Sequence, residues 1–81
     1  MKKTIPVQYF ALLREQRGLA REDVVTGAAT PAELYAELKA RHGFTLAVEQ
    51  LRVAVNGEFT GWSRSLESGA EVVFIPPVAG G

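Results

Sequence analysis

Four consecutive apolar residues, Val72-Val73-Phe74-Ile75, run straight into Pro76-Pro77. A strand that is apolar on both parities belongs in the middle of a sheet, covered on both sides. The first extended stretch, "TIPVQYF" at 4–10, is the next most apolar. Its alternation puts Ile5, Val7 and Tyr9 on one face and Gln8 and Phe10 on the other. These two strands are therefore placed side by side. Pro6 has no N–H to give to a ladder, so it is expected near the start of its strand.

Between them the clearest local signal is "TPAELYAELKARHG". Thr30 occupies the cap position, Pro31 the first helical position, and Glu33 the place of a capping-box acid. Leu34, Tyr35 and Leu38 form an apolar stripe. Gly43 follows as a left-handed stop. Arg41 and His42 fall in the last turn, where the helix dipole favours positive charge, and that role is assigned to His42. "ALLREQRG" predicts one or two helical turns ending at Gly18. A short strand is expected around Val24-Val25, closed by Gly27. "LRVAV" at 51–55 reads as a strand with Leu51, Val53 and Val55 on one face. Asn56-Gly57 is a two-residue hairpin turn leading to a short return strand. Trp62 and Leu66 are expected to cover an edge of the core, and Ser68-Gly69 to turn into the last strand.

This order holds one substantial helix. With the first and last strands parallel and a right-handed crossover, it predicts an α+β fold: a β-grasp, ubiquitin-like mixed sheet with one main helix packed on one face. The domain spans 1–77, and 78–81 form a tail that is expected to be flexible. A ferredoxin-like α/β arrangement is the alternative, and the single helix counts against it.

Composition narrows the chemistry. The 81 residues make one small domain with nine basic and nine acidic side chains. Zero net charge disfavours nucleic acid, whose recognition rests on many cations. No apolar run approaches the roughly 20 residues of a membrane span, and "MKKTIPVQYF" makes a poor secretory leader. The expected location is the cytoplasm. Cysteine is absent and His42 is the sole histidine, so no disulfide, thiolate site or histidine cluster is expected. Glu15, Asp23, Glu33 and Glu37 fit caps and solvated faces. No paired carboxylates and no nucleophile–base spacing emerge, so the chain is expected to lack a catalytic constellation of its own and to bind no cofactor or metal.

The remaining feature is the end, "IPPVAGG". Two prolines stop the sheet and favour a stiff extended exit. From Pro76 to Gly81 the chain reaches about 20 Å if extended. Pro76, Pro77, Val78, Ala79 and Gly80 suit a narrow channel in another protein, where added bulk would collide. The group delivered there is the Gly81 α-carboxylate. With a pKa of about 3.5 it is an unreactive anion at neutral pH, and it needs activation, most simply as an acyl-adenylate. An amine nucleophile would then make the chain a protein modifier. A sulfur donor would make Gly81 a thiocarboxylate, a portable sulfur nucleophile that requires no cysteine.

"YFALLRE", "TPAELYAEL", "VAVNGE" and "SGAEVVFIPPVAGG" resemble the small subunit of molybdopterin synthase, over essentially the whole chain. "FIPPVAGG" is the most specific piece. Pro6 departs from the usual pattern of that family. The resemblance implies that Gly81 is adenylated through a transient AMP adduct and converted to 1-thioglycine. It then donates sulfur to a cyclic pyranopterin precursor in molybdenum cofactor biosynthesis. It implies three partners: the large subunit, in a heterotetramer of two large and two small chains; an adenylating enzyme of the ubiquitin-activating type; and a sulfur-donating enzyme. Related carriers for thiamine, cysteine or tRNA thiolation, a modifier conjugated to lysines, and a binding module with an inert tail remain alternatives.

One helix covers one face, yet the strands are apolar on both parities. Ile5, Val7 and Tyr9 are assigned to the core, so Phe10 faces away. Alternation leaves either Val73 and Ile75 or Val72 and Phe74 beside it, and the resemblance favours Ile75. The expected partner interface is Phe10, Phe59 and Ile75, with Arg14 at its rim.

Overall fold

A computed structural model describes residues 2–77. The strands are β1 (Lys3–Tyr9), β2 (Arg21–Thr26), β3 (Arg52–Val55), β4 (Glu58–Thr60) and β5 (Val72–Ile75); the helices are α1 (Ala11–Arg17) and α2 (Pro31–His42). The sheet order is β2-β1-β5-β3-β4, with β1 parallel to β5 and the other neighbours antiparallel. This is the expected β-grasp topology, with the apolar β5 third of five.

The local signals that set α2 act as read, with one difference. Thr30 Oγ1 accepts from the Glu33 N–H at 3.2 Å. The Glu33 carboxylate reaches back to the Ala29 N–H at 3.2 Å, one residue before the cap rather than the cap itself. Gly43 takes φ 72° and donates its N–H to the Lys39 carbonyl. Asn56 and Gly57 take φ 53° and 84°, the pair of left-handed residues that a tight hairpin between twisted strands requires.

The buried face of the sheet meets α2. Ile5, Val7 and Tyr9 of β1, Val53 and Val55 of β3, and Val72 and Phe74 of β5 pack against Leu34, Tyr35 and Leu38. Tyr35 is the hub: its ring lies 5.3 Å from Phe74, 6.0 Å from Phe44 and 6.3 Å from Trp62. Trp62 stacks on Phe74 at 6.0 Å, and Leu66 is buried. Both therefore close the core edge as expected. Thr26 is the buried polar residue of this region. Its hydroxyl donates to Glu37 at 2.7 Å and accepts the Ala28 N–H at 2.9 Å, which removes the penalty of burying it.

Three expectations need correction. First, β5 is not covered on both sides. Val72 and Phe74 are buried, but Val73 and Ile75 remain half-buried on the face that α2 does not reach. Second, Pro6 is the fourth of seven residues in β1. The Tyr9 N–H donates to the Ala20 carbonyl at 2.8 Å, so the odd-numbered residues of β1 bond to β2 in the alternation of an antiparallel ladder. Pro6 turns its nitrogen toward β5, which joins β1 only from Val7↔Val72 onward. The missing N–H falls before the partner strand begins. Third, Val48–Gln50 form a 3-10 turn ahead of β3 where the sequence reading placed no element.

The sidedness of β5 is open to measurement. Phe74→Ala is expected to cost about 3–5 kcal/mol, the range for truncating a fully buried aromatic residue. Val73→Ala, on the open face, should cost under about 1 kcal/mol. Equal losses in urea unfolding would show that the two faces have been interchanged.

Candidate docking face and chain exit

The uncovered face of the sheet follows from register. Gln8 pairs with Val73, Val73 with Ala54, and Ala54 with Phe59, so one row crosses four strands on that face. A second row, nearer the chain exit, sets Arg52 beside Ile75. The last β1–β5 pair is Tyr9↔Phe74, so Phe10 and Ile75 emerge together at the same end. Phe10 is 41% exposed and Phe59 66%.

The structure brings three of the four expected interface residues to the exit. Two grooves flank it and share Ile75, Pro76 and Pro77; one also contains Phe59, the other Phe10. Pro76 is buried and Pro77 exposed. Arg14 is exposed on α1 one turn beyond Phe10, but it lines neither groove and forms no ion pair among the described residues. The expected channel residues Val78, Ala79 and Gly80, and Gly81 itself, lie outside the described residues.

Two contributors went unread in the sequence, Leu12 and Leu46. Leu12 is 38% exposed while its neighbour Leu13 is fully buried. Nothing in the pair "LL" says which one faces out. The structure decides it at Ala11, whose φ of 52° is a left-handed conformation costing a non-glycine residue roughly 1–2 kcal/mol. That turn separates the extended Phe10 from the helical Leu12 and leaves both exposed at the groove.

Behind the face, a charged cluster ties α1 to the sheet and to α2. Arg17 grips Glu22 with two hydrogen bonds of 2.8 Å. The Tyr9 hydroxyl donates to the same carboxylate at 2.7 Å, and His42 Nε2 lies 3.9 Å from it. The Arg17 hydrogen bonds hold the Glu22 carboxyl down at about 2, against the opposing effect of burial, and Tyr9 assists. Burial, then Glu22, pushes the Tyr9 hydroxyl well above its ordinary range. His42 is pushed the other way: burial first, then Arg17, holds its proton off more strongly than Glu22 attracts it. The expected favourable charge of His42 at the helix end is thus corrected. The ring packs against Phe44 at 5.7 Å as a largely apolar body. Both oxygens of the Glu22 carboxylate are engaged from within by Arg17 and Tyr9, so it offers no open base. Among the described residues no group of three or more His, Cys, Asp or Glu could hold a metal ion, and no helix is long and apolar enough to cross a membrane.

The model of the ThiS family matches residues 7–81 of this chain. SAMP1 from Haloferax volcanii, a small archaeal modifier protein, superposes with a TM-score of 0.78 at 27% identity, covering 96% of this chain and 99% of that one. The chain named molybdopterin converting factor subunit 1 from Pyrococcus furiosus gives 0.76 at 29% identity, over 94% and 99%. A chain of the BexX/CysO complex from Amycolatopsis orientalis gives 0.69 at 25%, over 95% and 99%.

The charged cluster predicts acid sensitivity in two stages. His42 binds its proton less readily folded than unfolded, so its contribution declines as pH falls below about 6.5. Glu22 is depressed from 4.5 to about 2. Its stabilisation is complete above pH 4.5 and is lost as pH falls toward 2, on the order of 3 kcal/mol at ~1.4 kcal/mol per pKa unit. Urea unfolding across pH 2–8 should show both limbs, with Glu22→Gln flattening the lower one and His42→Gln the upper. A lower limb that persists unchanged in Glu22→Gln would refute the assignment.

Proposed function

The chain belongs to the ThiS family, and on that premise we propose that it is the sulfur-carrier small subunit of a molybdopterin synthase. At the coarser level it is a ubiquitin-like sulfur carrier or modifier. The observation that carries the reading is the exit: the central strand leaves through Pro76-Pro77 between two grooves on a face that α2 leaves uncovered, and the sequence beyond it is Val-Ala-Gly-Gly. The family match runs to Gly81.

The chemistry assigned to Gly81 is acyl activation. Its carboxylate attacks the α-phosphorus of ATP on an activating enzyme, and pyrophosphate leaves. A donor sulfur at the sulfide oxidation level attacks the resulting acyl-adenylate carbon, AMP leaves, and loss of the sulfur's proton leaves a thiocarboxylate. In the large subunit the thiocarboxylate sulfur attacks a carbon of the pyranopterin precursor, forming a C–S bond as the C–O bond at that carbon breaks and its oxygen leaves with the electron pair. Water then cleaves the acyl–sulfur bond, leaving the sulfur on the pterin and restoring the Gly81 carboxylate. The domain contributes position and recognition. Its fully engaged Tyr9–Glu22–Arg17 cluster takes no part in proton transfer. Phe10, Phe59 and Ile75 form the apolar centre of the contact with the large subunit, and Arg14 reaches its rim.

The resemblance of "FALLRE" and "FIPPVAGG", and the 29% identity to molybdopterin converting factor subunit 1, favour the synthase over other sulfur pathways. The 27% identity to SAMP1 supports a second reading, conjugation to lysines. Activation would be identical in both, and only the final nucleophile would differ.

With the large subunit, precursor, ATP and activating partners reconstituted, deletion of Gly81 or Gly81→Val should abolish sulfur transfer while the unfolding curve stays unchanged. Normal transfer by Gly81→Val would defeat the narrow-channel part of the reading. For the face, Phe59→Asp or Ile75→Asp should weaken binding to the large subunit by at least ~2 kcal/mol, the scale of a hot spot, with little change in thermal midpoint. Wild-type affinity of both variants in a calorimetric titration would remove these residues from the interface.

A further inference from the structure

The two grooves beside the exit differ in chemistry. The one toward β4 sets Glu49, Gln50 and Arg52 around Phe59. The other, about 420 Å³, has walls of Phe10, Leu12 and Leu46 above a floor of Ile75, Pro76 and Pro77, with no charged or polar side chain among the described residues that line it. Its walls come from segments distant in sequence. Phe10 and Leu12 flank the left-handed turn into α1, whereas Leu46 stands in the loop after α2.

The same two segments are laced together farther along α1. Gln16 Nε2 donates to Thr45 Oγ1 at 2.9 Å, and the Thr45 N–H donates to Gln16 Oε1 at 3.3 Å. Both ends of one amide side chain are therefore spent on the residue next to Leu46. From the core side, the Tyr35 hydroxyl donates to the Leu46 carbonyl at 2.7 Å. The wall is thus held from two directions, one of them at the surface, where a hydrogen bond adds little net stability.

We propose that this groove seats an uncharged aliphatic or aromatic side chain of the protein that accepts the C-terminal segment, and that Gln16 and Thr45 are positioning residues that fix its width. The inference rests on the sulfur-carrier reading and deepens it. The floor, Pro76-Pro77, directly precedes residues 78–81, so a protein that takes up those residues comes against the groove. A charged group entering would give up its hydration for walls that offer no partner. An apolar group loses only its contact with water. The neighbouring groove, with Arg52 and Glu49, is the side for polar contacts.

The test uses the full-length chain with methyl-labelled leucines, titrated with the large subunit of molybdopterin synthase. Binding should perturb the Leu12 and Leu46 methyls and transfer saturation to them. Leu46→Lys should weaken affinity at least about thirtyfold, the scale of an interface hot spot, and Leu46→Met should retain it. Thr45→Val should weaken it roughly threefold, the effect of losing one hydrogen bond, and Thr45→Ser should restore it, with every variant still folded at the titration temperature. Wild-type affinity of Leu46→Lys, or Leu12 and Leu46 methyls that stay silent while the large subunit binds, would overturn the groove assignment and leave the functional reading standing. No binding of the wild-type chain would overturn both. Methyl shifts that follow carrier concentration alone, or that appear on deleting residues 78–81 from the free chain, would give the groove to a second copy or to the chain's own end, and would equally overturn the proposal.

Discussion

A sheet whose central strand is apolar on both parities asks for cover on two faces, and α2 supplies it for one. Most of what this domain can do follows from that shortfall. On the covered side, β1, β3 and β5 meet Leu34, Tyr35 and Leu38, and Trp62 closes the edge over Phe74. On the other side Val73 and Ile75 stay half-buried and Phe59 stays exposed. The parallel pairing of β1 with β5 decides where the unsatisfied apolar surface gathers. Because the two strands run the same way, the residue after Tyr9 and the residue after Phe74 leave the sheet at one end. An antiparallel pairing would have sent Phe10 to the far end, away from Pro76-Pro77. Apolar contact surface and chain exit coincide through strand direction.

The interior supports that surface without chemistry of its own. Glu22 is consumed by Arg17 and Tyr9; His42 is held off its proton by burial. These groups brace α1, whose first residues carry Phe10 and Leu12 to the exit. On the proposed reading the domain of residues 2–77 serves as a handle and a docking face, and Gly81 carries the reactive group. A division of this kind suits a substrate that must pass from one enzyme to another, since each can recognise the same face while acting on the same end.

What the sequence disclosed was local or periodic. Thr30, Pro31 and Gly43 marked α2 because caps act within one turn. Asn56-Gly57 marked the hairpin because only a few residues accept two positive φ angles. Alternation in β1 separated Tyr9 from Phe10. The unread features depend on distant partners. Leu12 and Leu13 are chemically identical, and their opposite fates are set by the left-handed turn at Ala11. Leu46 enters the site because Thr45 is tied to Gln16, 29 residues away in sequence. Pro6 is tolerated mid-strand because β5 starts one residue later. His42 was assigned to the helix dipole, a local effect, and was overruled by burial beside Arg17. Arg14 was placed correctly on α1, yet among the described residues it remains apart from both grooves.

The central claim is that Gly81 carries sulfur. Intact mass spectrometry of the chain, after incubation with an activating enzyme of the ubiquitin-activating type, ATP and a sulfur source, tests it at the atom concerned. The account predicts replacement of one oxygen by one sulfur, localised by fragmentation to Gly81 and dependent on ATP. An unchanged mass under conditions that form the acyl-adenylate, or conversion of the chain only into high-mass amide conjugates, would contradict it.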